Sequence, residues 1–144
     1  MEHALPAAGP DRLDRMAAQL RRAGLRPTRQ RVDLCRVLFA RGDRHVSAED
    51  LHAEAEAEGV RVSLATVYNA LHQFTEAGLL REVAIDGTRT YFDTNTSDHH
   101  HFFVEGEGQL IDLVGAIGID SLPEPPPGME ITSVEVVVRV RRRR

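Results

Sequence analysis

"SLATVYNALHQFTEAGLLREVAIDGTRTYFD", residues 63–93, changes its period halfway along. In the first half Leu64, Val67, Leu71 and Phe74 recur at helical spacing behind Ser63, a residue suited to capping, and Gly78 closes the run. The spacing predicts an amphipathic helix over 63–78 that buries those four side chains. From residue 79 the pattern alternates around Asp86-Gly87, the strongest short-range signal for a β-hairpin. A helix running straight into a hairpin is how a winged helix-turn-helix ends.

The residues upstream supply the helices that such a unit needs. Residues 11–24 place Leu13, Met16, Ala17 and Leu20 on one face and stop at Gly24. Residues 26–42 carry Pro27 near the first turn, set Val32, Cys35, Leu38 and Phe39 on one face, and end at Gly42. Residues 47–59 open with Ser47 and Asp50 at capping-box spacing and end at Gly59. The short "GVRV" turn then leads into the helix at 63.

After the hairpin, "TNTSD" (94–98) is polar and reads as a linker. Two strand-like runs follow, "HHHFFV" and "QLIDLV", then "GAIGIDSL", the stiff "PEPPPG" loop (123–128) and a final strand in "MEITSVEVVVRV". The chain thus reads as α+β: a winged-helix domain over 1–93, a linker over 94–98, and a small second α/β unit over 99–144.

Composition narrows the function classes. The chain has 144 residues, 42% of them hydrophobic, enough for one domain or two small ones. Its apolar runs are too short to span a bilayer, and "MEHALPAAGPDR" lacks a basic n-region and an apolar h-region. No membrane partner and no signal peptide are therefore expected, and the single Cys35 suits the cytoplasm. One cysteine also excludes an intrachain disulfide and a Cys-x-x-Cys zinc knuckle. At helical core spacing, Cys35 reads as packing.

Net charge is −4, but it is unevenly spread. Residues 1–44 hold ten arginines against five acids, a net +5, and every basic residue of the chain is arginine. A basic front beside a winged helix points to double-stranded DNA. With its apolar stripe inward, helix 63–78 presents Ala65, Thr66, Asn69 and Gln73, with Tyr68 at the stripe edge and no acid before Glu76. Asn can pair with adenine, and Thr or Tyr can pack on a thymine methyl. The expected reader set is Ser63, Ala65, Thr66, Tyr68 and Asn69, with Arg21, Arg22 and Arg26 for phosphate or minor-groove contacts. The terminal "RRRR" reads as a solvated tail.

The run His99-His100-His101 yields to strand geometry. Side chains alternate on a strand, so His99 and His101 share a face and His100 points away. If residues 105–108 form the turn, Val104 faces Gln109 and His101 faces Asp112. Two imidazoles and a carboxylate then converge. Further donors are sought in the first domain, where Asp93 ends the hairpin and His45 precedes a helix away from the core stripes. The set His45, Asp93, His99, His101 and Asp112 suits Mn²⁺, Fe²⁺, Co²⁺ or Zn²⁺ better than Ca²⁺ or Cu⁺. His3, His52 and His72 lack such company and read as surface residues.

"GLRPTRQRVDLCRVL", "HVSAEDLH", "VSLATVYNALHQFTEAGLL", "YFD", "HHHFF" and "EGQLIDL" together resemble the ferric uptake regulator (Fur) family of bacterial transcription factors, across residues 12–113. The resemblance implies a winged-helix DNA-binding domain, an α/β dimerisation domain, and a regulatory metal between them on His45, Asp93, His99, His101 and Asp112. It also implies a homodimer and places the base-reading tyrosine at Tyr68. Where the family's structural zinc uses paired cysteines this chain has Val104 and Glu107, so no such zinc is expected. Asn69 stands where arginine is common, which implies a different operator.

The histidine run and short C-terminus resemble the iron response regulator (Irr) branch of alphaproteobacteria. That branch implies control of iron and haem homeostasis, with haem taken by His99, His100 and His101. Its Cys-Pro haem motif is missing, since Arg36 follows Cys35. A manganese- or iron-dependent peroxide sensor of the same family is the nearest alternative. From other classes, a metal-buffering protein or a mononuclear metal enzyme fits the ligands but leaves the reader helix unused.

Overall fold

The computed structural model describes residues 10–85, 89–97 and 99–144. The Asp86-Gly87 turn signal, His3 and the last linker residue lie outside them. The chain divides into two compact units, Met1–Thr96 and Ser97–Arg144.

The first unit holds helices α1 (Pro10–Arg22), α2 (Arg29–Phe39), α3 (Ala48–Ala57) and α4 (Leu64–Glu76). Side-chain oxygens open three of them. Thr28 caps α2, so Pro27 sits just outside the helix, beside its first turn. Ser47 and Asp50 form the full capping box of α3, and Ser63 caps α4. Each such bond satisfies a backbone N–H that the helix itself cannot. At the far end of α4, Gly78 takes φ 83° and the chain turns back, the Leu79 N–H donating to the Phe74 carbonyl over 2.9 Å. Glycine adopts that left-handed conformation without steric cost.

The helices enclose one core of fully buried Leu20, Leu34, Leu38, Leu51, Leu71 and Phe74. Leu64, expected inside, is 37% exposed. It is the first residue of α4, one turn short of where Val67 begins the buried stripe. On α2, Cys35 and Leu38 are buried as expected and Val32 and Phe39 pack partly buried against the core, while Leu34 and Val37 are buried as well, so the inward face is wider than the expected one.

Three strands complete the unit: β1 (His45–Val46), β2 (Arg81–Ala84) and β3 (Thr90–Asp93), ordered β1-β3-β2 and all antiparallel. β2 and β3 are the expected hairpin. β1 is new; its two residues are too few to show any periodicity. It pairs His45 with Asp93 and Val46 with Phe92.

The second unit is a sheet of β4 (His100–Val104), β5 (Gln109–Leu113) and β6 (Val137–Val140), ordered β5-β4-β6. β4 and β5 pair antiparallel with Val104 opposite Gln109 and His101 opposite Asp112, the register expected from the turn length. β6 runs parallel to β4 and is shorter than the strand expected over 129–140. Among its described residues this unit contains no helix. Residues 114–136 carry Gly115, Gly118, Pro123, Pro125, Pro126 and Pro127, which remove backbone donors and raise the entropic cost of a helix. The helices of this α+β chain therefore lie in its first unit. No described helix is long and apolar enough to cross a membrane.

Candidate metal centre and nucleic-acid interface

In the second unit the alternation of β4 brings His99 and His101 to one face, their ring centroids 4.5 Å apart. Asp112 meets them from β5. Its Oδ1 lies 3.0 Å from His99 Nε2 and 3.5 Å from His101 Nε2. His101 is buried and Asp112 partly so. His99 Nδ1 lies 2.7 Å from the Ser97 carbonyl. A carbonyl only accepts, so Nδ1 carries the hydrogen and Nε2 of the neutral ring turns a lone pair toward the carboxylate. Two lone pairs so close are stable only with a proton or a cation between them. This carbonyl-anchored imidazole is the arrangement metal-binding histidines use to fix tautomer and orientation. The donor set thus fits a divalent cation of the transition series.

In the first unit, cross-strand pairing of β1 with β3 sets His45 Nε2 3.0 Å from Asp93 Oδ2. Asp93 is 1% exposed, and its Oδ1 accepts the Asn95 N–H over 2.8 Å. A carboxylate this deep is costly to hold charged without donors or a cation around it. The neighbouring residues hold the pair in place. The Arg44 N–H donates to Thr94 Oγ1 (2.8 Å), and the Thr94 N–H returns to the Arg44 carbonyl (3.0 Å). The Arg44 guanidinium contacts both Glu54 oxygens at 2.7 Å, and Arg41 adds a bond of 3.0 Å to the same carboxylate. The short strand carrying His45 is thereby bolted to α3.

His100 does something else. Its Nδ1 accepts the Val136 N–H over 3.1 Å, while the His101 N–H donates to the Val136 carbonyl over 3.2 Å. It therefore anchors the chain entering β6. With His99, Leu113, Ile117 and Val134 it also lines a cavity of about 530 Å³. Val104 closes β4 as a buried side chain, and Glu107 in the following turn takes Arg142 at 2.9 and 3.1 Å.

On α4, Ser63 and Thr66 share a hydroxyl contact of 2.9 Å, and Ala65, Asn69 and Gln73 are exposed. Tyr68 is half-buried and donates its hydroxyl hydrogen to Glu49 Oε1 over 3.0 Å. Arg21, Arg22 and Arg26 are exposed at and just after the end of α1. Sequence reasoning passed over Arg31. Its guanidinium bridges Gln73 Oε1 (2.9 Å) and the Arg26 carbonyl (3.0 Å), beside the exposed face of α4. Nothing local signals a contact between residues 42 positions apart. Burial pushes the Cys35 thiol up to about 12, which makes it a packing residue without nucleophilic character at neutral pH.

The profile of the ferric uptake regulator family matches residues 22–137. The chain belongs to the ferric uptake regulator family. It is similar to the ferric uptake regulation protein of Pseudomonas aeruginosa, 38% identical over 100 residues that cover 69% of this chain and 75% of that one. It also resembles the peroxide-responsive repressor PerR of Staphylococcus aureus, 32% identical over 101 residues, 70% of this chain and 68% of that one. Among solved structures, the ferric uptake regulator of P. aeruginosa with manganese superposes with a TM-score of 0.65 at 28% identity, covering 90% of this chain and 98% of that one. As a Fur-family protein, this chain is a metal-responsive DNA-binding transcriptional regulator, not an enzyme, and membership implies a dimer.

Proposed function

We propose that this Fur-family regulator controls promoter DNA in the cytoplasm through one divalent cation served by His45, Asp93, His99, His101 and Asp112. The observation that carries this reading is the Asp112 oxygen shared by His99 and His101 at 3.0 and 3.5 Å. When bound, the cation would add positive charge among these carboxylates and imidazole lone pairs. Family resemblance assigns both ligand groups to a single ion. Manganese, iron and zinc all accept this donor set, and the related P. aeruginosa structure was determined with manganese.

In this reading Ser63, Ala65, Thr66, Tyr68 and Asn69 face the major groove, and Arg21, Arg22 and Arg26 contact phosphates. Two copies of the chain read half-sites about one helical turn apart. Ligands contributed by both units let occupancy bias the orientation in which the reader helices fit that spacing. Likeness to both an iron-uptake regulator and a peroxide-responsive repressor favours a general metal sensor over a dedicated haem sensor.

Haem remains the second reading because of one observation, the cavity that His99 and His100 line with Leu113, Ile117 and Val134. One experiment separates the two. Duplex DNA carrying the protein's own promoter is titrated with protein in chelator, in Mn²⁺, and in Mn²⁺ plus haem. Binding that needs Mn²⁺ and survives haem supports the metal sensor. Binding lost on adding haem supports the Irr-like reading, and binding indifferent to both refutes metal control.

A further inference from the structure

Tyr68 does not offer a free phenol to DNA. Its hydroxyl donates to Glu49 Oε1 over 3.0 Å, across from α4 to the first turn of α3. A backbone hydrogen bond at Glu49 holds its carboxyl below the ordinary value, and the Tyr68 hydroxyl adds to that. The same bond raises the phenol above its ordinary value. Arg89, just ahead of the wing strand β3, is raised mainly by its side-chain hydrogen bond with Tyr91 and acts electrostatically on both Glu49 and Tyr68. On its other side the Tyr68 ring is steadied by His72, stacked at 6.4 Å, which itself meets Phe92 edge-on at 5.5 Å. The ring is therefore fixed at both ends.

A phenol whose proton is committed to a carboxylate has no donor left for a phosphate oxygen or a base acceptor. It retains its apolar ring edge, which suits a thymine methyl. The carboxylate beside it repels phosphate, and binding to arbitrary sequence depends mainly on phosphate attraction. A group that weakens the sequence-blind term while fixing the base-reading ring sharpens selectivity.

We infer that Glu49 is a specificity-determining positioning residue: it holds the Tyr68 hydroxyl so that the ring packs on a thymine methyl, and it keeps the reader face from gripping phosphate indiscriminately. The inference rests on the reader role proposed above for Tyr68.

The test begins with duplexes enriched from a random pool by the wild-type protein in Mn²⁺. Binding is then measured to the enriched duplex, to versions with single thymines replaced by deoxyuridine, and to a scrambled duplex. For the wild type, loss of one methyl should weaken binding by roughly fivefold, at the low end of base discrimination by direct contacts. Glu49→Ala should lose that dependence and bind the scrambled duplex more tightly. Glu49→Gln, whose amide oxygen can still accept from the hydroxyl, should keep the methyl dependence but also bind the scrambled duplex more tightly. In a Tyr68→Phe background, Glu49→Ala should not change methyl dependence further.

A merely structural role would weaken all duplexes equally and lower the melting temperature. Glu49→Ala with undiminished methyl dependence would overturn the inference and leave the reader role standing. A wild-type protein that enriches no sequence would overturn both.

Discussion

His101 of β4 stands directly opposite Asp112 of β5, and the Asp112 oxygen 3.5 Å from its Nε2 is the same one that lies 3.0 Å from His99 Nε2. One carboxylate oxygen thus organises the imidazoles of both His99 and His101. Asp112→Asn keeps the size and removes the charge. Its Mn²⁺ affinity should fall by more than the roughly 10–100-fold typical of losing an outer-shell partner. Calorimetric titration of the folded variant checks this, and an unchanged affinity would remove Asp112 from the metal centre.

The register behind that contact was legible because two independent signals agreed. The period-two alternation of 99–104 put His99 and His101 on one face, and the length of the turn at 105–108 fixed their partner. The four helices were legible from their caps and apolar stripes. The strand carrying His45 was not, since two residues hold no pattern and its pairing with Asp93 spans half of the first unit. Contacts such as Tyr68 with Glu49 and Arg31 with Gln73 were equally hidden, because they join different helices. The absence of a described helix over 114–136 follows from glycine and proline content that is plain in the sequence.

The core and the rim of α4 should respond differently. Phe74 is fully buried, so Phe74→Ala should cost about 3–5 kcal/mol of unfolding free energy. Leu64, at 37% exposure, has less to lose, and Leu64→Ala should cost under about 1 kcal/mol. Urea unfolding of both variants measures the difference, and equal losses would contradict the placement of the stripe.

Ser47 is the buried hydroxyl of the α3 capping box, bonded to the Asp50 N–H over 3.1 Å while Asp50 Oδ2 accepts the Ser47 N–H over 3.2 Å. Ser47→Ala should therefore destabilise the protein by roughly 1 kcal/mol. Because Ser47 lies two residues beyond His45, a loss of Mn²⁺ affinity without loss of stability would show instead that the cap serves the ligand strand.

Cys35 sets an alkaline limit. Burial raises its thiol to about 12 from 9.0, so between those values the unfolded chain has released a proton that the folded chain still holds. Stability from this group is intact below pH 9 and falls as pH rises through that window. The urea midpoint should drop from pH 8 to pH 10, and Cys35→Ala should flatten the drop. An equal slope in the variant would assign the effect elsewhere.

If metal occupancy controls DNA binding, DNA binding must equally shift metal affinity, because linkage is reciprocal. The most direct measurement is Mn²⁺ affinity of the protein with and without saturating operator duplex. DNA should tighten Mn²⁺ binding by about 5–150-fold, the usual span of such coupling, and His101→Ala should abolish the difference. Identical Mn²⁺ affinity with and without DNA would refute metal control of DNA binding and leave a protein that binds metal without using it to regulate.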